Sequence, residues 1–176
     1  MPLDNQQELF DICDAEDRVI GQACRGEVHA RKLLHRAVHI WVFNSQGKFL
    51  LHRRSATKDE SPHCYTSSAS GHLSAGEDYS EAAARELQEE LGLSEALEYL
   101  TRLPAGLETA YEHTALFQVR SDAPPTPDPD EIESIEYLAP AEVSRRLAAA
   151  PAEFSPPFRA LWLWWEQARP ALPRSN

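Results

Sequence analysis

The sequence predicts a mixed β-sheet packed against helices, in an α/β or an α+β arrangement. Strand patterns and helix patterns follow each other in mixed order along the 176 residues, and no internal repeat is present. Residues 37–53 have the pattern of a β-hairpin, whereas residues 78–91 have that of an amphipathic helix. With 42% hydrophobic residues, we expect one domain over 1–176 that buries its own core.

The N-terminal half is predicted to contain two hairpins. We expect residues 1–30 to form an extension with a short hairpin or edge strand at 18–25, which bends at Gly21. The patterns that follow predict a strand at 37–44, a turn at 45–47, a second strand at 48–53, a polar loop at 55–63 and a third strand at 65–72.

Residues 78–91 form the clearest predicted helix. Asp78 and Glu81 have the spacing of a capping box, and Gly92 lies where a left-handed residue ends a helix. The expected apolar stripe of this helix consists of Ala83, Ala84, Leu87 and Leu91.

The C-terminal half is predicted to alternate strands and helices. We expect the tryptophans of the last helix, at 162, 164 and 165, to pack in the core rather than on a ligand. The expected elements are a strand at 109–120, a proline-rich loop at 123–130, a strand at 134–138, and helices at 141–149 and 155–167.

Composition and charge exclude several classes of function. A net charge of −11 argues against general binding to nucleic-acid backbones, which requires a basic face. The chain has no apolar run of about 18 residues, and its acidic start lacks the apolar stretch of a signal peptide. The odd number of cysteines, Cys13, Cys24 and Cys64, without close metal-ligand spacing, favours reduced thiols and a cytoplasmic protein.

Three carboxylates are predicted to share one side of the 78–91 helix. Glu86 lies three and four residues before Glu89 and Glu90, so the three side chains are neighbours. Like charges at this spacing destabilise a helix unless a cation neutralises them, and Mg²⁺ prefers oxygen ligands. Taken alone, the glutamates fit a solvated acidic helix face slightly better than a metal site.

The surrounding pattern decides between these alternatives. Residues 71–93 match G-x5-E-x7-R-E-U-x-E-E-x-G-U, where U is aliphatic, at every specified position, which background composition would give about once in 10¹⁰ windows. This segment resembles the Nudix box, and the chain resembles the Nudix family. The matching residues are Gly71, Glu77, Arg85, Glu86, Leu87, Glu89, Glu90, Gly92 and Leu93.

The resemblance implies a Nudix-type α/β/α sandwich and a small-molecule diphosphate substrate, which is a nucleoside-diphosphate-type or other X–diphosphate compound. It also implies Mg²⁺ or Mn²⁺ held by Glu86, Glu89 and Glu90, with the Gly71 carbonyl close to the metal. Arg85 completes the catalytic set, and Glu77 is expected to support it structurally by bracing the loop against the helix. Glu86 is the candidate for assisting deprotonation of the attacking water.

Residues 33–72 resemble one branch of the family more closely, the isopentenyl-diphosphate isomerases and their hydrolase-like relatives. This resemblance implies that cationic residues hold the substrate diphosphate, and the matching positions are Arg25, Arg54 and Lys58. It also implies a second, histidine-rich metal site, for which the matching residues are His29, His35, His72 and Glu112.

Three departures disfavour isomerase activity. Ser70 replaces the cysteine that acts on the alkene, Pro157 replaces the expected aromatic residue, and Ala110 replaces an acidic metal ligand. An isomerase therefore remains the second choice. A third possible function is that of a non-catalytic diphosphate sensor, which is disfavoured because every glutamate of the box is present.

Several of these residues also have structural explanations. His35, His39 and His52 fit buried core histidines about as well as functional ones, and Arg53 and Arg54 are common surface ion-pair residues. The acidic residues Asp128, Asp130, Glu131 and Glu133 are interpreted first as loop solvation, although a distal base or ligand can come from such a loop.

Overall fold

A computed structural model of the chain describes residues 4–168. Within that range it contains nine strands and four α-helices, with 3₁₀ turns at Leu107–Thr109 and Pro151–Glu153. In chain order these are β1 (Leu9–Cys13), β2 (Val19–Cys24), α1 (Arg25–Arg31), β3 (His35–Phe43), β4 (Phe49–Arg54), β5 (Tyr65–Thr66), β6 (Ala69–His72), α2 (Tyr79–Leu91), β7 (Glu98–Leu103), β8 (Glu112–Arg120), β9 (Ile132–Leu138), α3 (Pro140–Ala149) and α4 (Pro156–Ala168).

The seven-stranded sheet divides into two branches. β3 and β4 share the single register pair Phe43–Phe49, and each strand then pairs with different neighbours. β3 pairs with β6 antiparallel and with β8 parallel, whereas β4 pairs with β5 and β9. Because the branches separate away from the hairpin turn, a cleft opens between them.

The sheet is covered on both faces, as the α/β prediction requires. Val38, Ile40 and Val42 face one core together with α2, while the alternate residues Trp41 and Phe43 face a second core with α3 and α4. The prediction of an α/β fold with a mixed sheet is therefore confirmed. The second core buries Trp162 and Trp165, with Trp164 packed against it, as expected for the tryptophans.

Helix α2 forms for the local reasons that the sequence indicates. Asp78 accepts hydrogen bonds from the backbone N–H groups of Ser80 and Glu81, and Gly92 ends the helix at φ 67°. Ala84 was wrongly placed in the apolar stripe, because it is exposed and Ala82 is buried instead. The buried face also includes Glu86, which lies three and four residues after Ala83 and Ala82, and Glu90, which lies four residues further on.

The N-terminal hairpin differs from its prediction. Gly21 lies inside β2, and the chain turns earlier, through Asp14–Arg18, where Asp17 has a φ of 66°. The short helix α1 follows β2 directly and packs Val28 against Phe10 of β1. This hairpin carries α1 to the cleft.

Two other predicted strands have different bounds. The segment 65–72 is split into β5 and β6, which pair with β4 and β3 respectively and so belong to opposite branches. The strand expected from Thr109 begins at Glu112, because a 3₁₀ turn precedes it and Ala110 and Tyr111 have φ of 53° and 66°. β1, α1 and β7 were not predicted.

No helix within residues 4–168 has the length and apolar character needed to cross a membrane.

Candidate active site

A cavity of about 580 Å³ occupies the cleft between the two branches of the sheet. Its walls come from α1, β3, β4, β6, α2 and the segment 107–112. Ala37 and His39 of β3 share a face with their partners His72 and Ser70 of β6, which brings these side chains to one surface. The cavity therefore joins the glutamate helix to the histidines.

The three glutamates of α2 lie at one end of this cavity and differ in exposure. The side chains of Glu86 and Glu90 are 12% and 3% exposed, whereas that of Glu89 is 59% exposed. Glu90 Oε2 lies 3.4 Å from the Ser70 backbone nitrogen, which donates to it, and 3.6 Å from His52 Nδ1.

Burial and mutual repulsion favour the protonated forms of the two inner carboxyls. Burial raises the pKa of Glu86 to about 7, against the opposing effect of the adjacent Arg85 guanidinium. Burial, with the nearby charges of Glu86 and Glu131, raises the pKa of Glu90 well above its ordinary value. A cation bound between these side chains would supply the positive charge that the cluster lacks.

Gly71 is the point where β6 comes closest to α2. A Cβ atom on Gly71 would overlap the Glu86 carboxylate, so only glycine leaves room for that side chain in its present position. The close approach explains in physical terms why this position of the box is a glycine.

Arg85 connects the helix to the loop that precedes it. Its Nε and Nη2 atoms donate to the two Glu77 carboxylate oxygens, each at 2.8 Å, and Nη2 also donates to the His72 carbonyl at 3.1 Å. Its Nη1 donates to Glu86 at 2.7 Å and to Glu89 at 3.1 Å. Arg85 thus fixes both the loop and the glutamates.

The three cations expected to hold a diphosphate all line the cavity, but their partners differ. Arg25 donates to Asp59 through Nε at 2.8 Å and Nη2 at 2.7 Å. Lys58 forms ion pairs with Asp4 and, at 2.7 Å, with Glu131. Arg54 donates through Nε to the Glu60 carbonyl at 3.0 Å and has no ion pair within residues 4–168.

The histidines expected at a second metal site are brought together. The ligand atoms of His29, His35 and His72 all lie within 4.8 Å of one another. Glu112 joins them, since its Oε1 atom is 3.0 Å from His72 Nε2 and 3.9 Å from His35 Nε2. Ala110 also lines the cavity but offers no ligand atom.

Two ring nitrogens of this cluster are buried without a hydrogen-bond partner. They are His29 Nε2 and His35 Nε2. His35 Nδ1 lies 2.8 Å from the Leu33 carbonyl, so Nδ1 carries the proton and Nε2 carries the lone pair. Burial lowers the pKa of His35 to about 4 and that of His72 well below its ordinary value, so both rings are neutral near pH 7.

Each cluster suits a different kind of divalent ion. The glutamates offer only oxygen atoms, which suits a hard cation such as Mg²⁺. The histidine cluster offers ring nitrogens, two of them without a hydrogen-bond partner, and one carboxylate, which suits a transition metal.

The sequence left the roles of Glu131 and His52 open, as a loop residue and a core histidine respectively, and neither was among the predicted site residues. Glu131 lines the cavity, pairs with Lys58 and acts on both Glu86 and Glu90 electrostatically. The acidic run at 128–133 was the available signal. His52 is fully buried beside Glu90, and burial lowers its pKa to about 3.

The chain is similar to known proteins in sequence and in fold. The family model for the NUDIX domain matches residues 33–158. An uncharacterized Nudix hydrolase from Streptomyces coelicolor is 36% identical over 152 residues, which cover 82% of each chain. An isopentenyl-diphosphate Delta-isomerase from Serratia proteamaculans is 33% identical over 155 residues, covering 84% of this chain and 86% of the isomerase.

The crystal structure of DR0079 from Deinococcus radiodurans has a TM-score of 0.72 and 30% sequence identity, covering 81% of this chain and 90% of that chain. Nudix hydrolases use divalent metal ions and act on small-molecule diphosphates. With the domain matched over most of its length, this chain belongs to the Nudix family and is a pyrophosphohydrolase of that family.

Proposed function

We propose that the protein hydrolyses the diphosphate linkage of a nucleoside-diphosphate-type or other X–diphosphate compound with Mg²⁺, which Mn²⁺ can replace. The observation that carries the proposal is the packing of Glu86 and Glu90 against Gly71 and Ser70 at one end of a cavity. Glu86, Glu89 and Glu90 would hold the ion with the Gly71 carbonyl. When bound, Mg²⁺ neutralises phosphate charge and makes a water molecule more acidic.

The chain's own residues supply the remaining functions. Glu86 is our candidate for accepting a proton from the attacking water, because burial places its pKa at about 7. Arg85 and Glu77 hold the glutamates in position through the hydrogen bonds described above. Arg54, with Lys58 beside it, would contact the diphosphate oxygens.

A second metal ion belongs to the same proposal. His29, His35, His72 and Glu112 would hold it, and the two partnerless Nε2 atoms support this assignment. A buried polar atom without a partner is costly, and ligation of an ion would remove that cost.

Arg54→Gln should raise the KM of the best substrate about 10-fold or more and change the Mg²⁺ requirement little. Arg54 lines the cavity with no carboxylate partner among residues 4–168, so its charge is available for phosphate. The matched control is Arg53→Gln, because Arg53 lies outside the cavity lining and pairs with Glu133. Steady-state kinetics of both variants test this, and equal KM values for the two would refute the assignment.

Isomerisation of isopentenyl diphosphate is the alternative reaction, and we expect none at a useful rate. Ser70 and Pro157 line the cavity where a thiol and an aromatic ring would be needed to act on an alkene and its cation. Glu112 still offers one proton-transfer group, and relatives named as isomerases make the test necessary.

The experiment compares both reactions in one preparation. Purified protein is incubated with Mg²⁺ and either isopentenyl diphosphate or a panel of nucleoside and prenyl diphosphates. Release of phosphate or pyrophosphate without dimethylallyl diphosphate supports hydrolysis. Isomerisation at about 1 s⁻¹ or faster would overturn it. If neither reaction is detected, the result would favour a non-catalytic diphosphate sensor.

We also propose a cytoplasmic location, on the ground that Cys13, Cys24 and Cys64 are all free thiols.

A further inference from the structure

Four buried charged side chains lie beside the histidine cluster. The hydrolysis proposal gives none of them a positioning role. The side chains of Asp4, Arg25, Lys58 and Asp59 are between 6% and 13% exposed. Asp59 faces His29, because its Oδ2 atom lies 3.5 Å from His29 Nδ1. Buried charges at this distance from a candidate metal site must affect its affinity for a cation.

The contact with Asp59 determines which nitrogen of His29 can bind a metal. A carboxylate can only accept, so His29 Nδ1 carries the proton, and Nε2 is the nitrogen that remains for a metal. Nε2 is one of the two buried ring nitrogens without a partner. A carboxylate that holds the far nitrogen of a metal-binding histidine is a recurrent arrangement, in which it fixes the ring and strengthens the ligand.

Asp59 also compensates a positive charge next to the cluster. Arg25 Nη1 lies 3.5 Å from His72 Nδ1, so an unpaired guanidinium would repel a divalent ion at this site. Both oxygens of Asp59 accept from Arg25, at 2.7 and 2.8 Å, which is the bidentate geometry of a strong pair.

The geometry points to Asp59 as the positioning residue of the second metal site: it orients His29 and neutralises Arg25 without ligating the ion. The same contacts pair Arg25 with Asp59 rather than with diphosphate, because Nε and Nη2 are already used. This inference rests on the histidine part of the proposed function.

Asp59→Asn should weaken binding of Co²⁺ at the histidine cluster about 10- to 100-fold, the range typical of second partners of metal ligands. The experiment titrates Co²⁺ into the full chain with Mg²⁺ in excess, and follows the visible absorption of nitrogen-ligated Co²⁺ together with the binding heat. His35→Ala identifies the signal, because that variant must lose it.

Two further variants separate the electrostatic role from a merely structural one. Arg25→Gln removes the repelling charge and should bind Co²⁺ at least as well as the parent protein. The double variant Arg25→Gln/Asp59→Asn should recover part of the affinity lost in Asp59→Asn. Glu60→Gln is the matched control, because Glu60 lies 3.7 Å from the same nitrogen but its side chain is 50% exposed.

Each outcome decides one point. If no Co²⁺ signal depends on His35, both the second metal site and this inference are overturned. Hydrolysis at the glutamates is unaffected by that result. Normal Co²⁺ affinity in Asp59→Asn, or equal losses in Asp59→Asn and Arg25→Gln, would overturn the positioning role alone. If Asp59→Asn does not fold, the double variant and Asp59→Glu replace it, and Asp59→Glu should retain most of the affinity.

Discussion

Glu90→Gln should lower turnover by about 100-fold or more while the protein stays folded. Glutamine keeps the shape of the side chain but removes the charge that the proposed Mg²⁺ site requires. The loss corresponds to about 2.7 kcal/mol or more of transition-state stabilisation. The metal-free variant should be about as stable as the parent protein, because burial and Glu86 raise the pKa of Glu90 and already favour its neutral form.

The measurement is kcat/KM at several Mg²⁺ concentrations, together with the thermal midpoint of the metal-free protein. Glu98→Gln is the matched control, because Glu98 is an exposed residue of β7 outside the cavity lining. Near-normal activity of Glu90→Gln at Mg²⁺ well below saturation would show that Glu90 is not a metal ligand.

The part of the site on α2 could be predicted because its determinants are local. Asp78 caps the helix through neighbouring backbone groups, Gly92 ends it, and the spacing of Glu86, Glu89 and Glu90 places them on adjacent turns. Such relations hold within a few residues of one helix, so the order of amino acids is enough to predict them.

The partners of the cations could not be predicted, because they are distant in sequence. Arg25 pairs with Asp59 at a separation of 34 residues, and Lys58 pairs with Asp4 at 54 residues. Neither pair has a spacing pattern, and only the packing of the N-terminal segment against the 55–63 loop creates them. The sequence resemblance suggested phosphate binding by Arg25, whereas the structure shows its donors largely occupied.

The missed elements lack the periodic patterns on which sequence reasoning depends. β7 is an edge strand with mostly exposed or half-buried residues, so its sequence shows no clear alternation. α1 has seven residues and no side-chain cap, which is too short for a helical period to be evident. Both are stabilised by tertiary contacts rather than by their own propensities.

Gly71→Ala should reduce kcat/KM about 100-fold and raise the Mg²⁺ concentration needed for half-maximal activity. The added methyl group would overlap the Glu86 carboxylate and force it away from Glu90 and the cavity. Steady-state kinetics across a Mg²⁺ titration measure both effects, and circular dichroism checks the fold. Gly21→Ala is the matched control, because a Cβ there meets nothing within 4 Å.

A double variant tests whether the effect acts through Glu86. Glu86→Asp shortens the side chain by one methylene group and makes room for the methyl group of Ala at 71. Glu86→Asp alone should have a lower kcat/KM than the parent protein. Adding Gly71→Ala to Glu86→Asp should lower kcat/KM much less than Gly71→Ala lowers it in the parent protein. Equal losses in the two backgrounds would mean that the glycine is needed for some reason other than its contact with Glu86. Full activity of Gly71→Ala would remove the close approach of β6 and α2 from the proposed mechanism altogether.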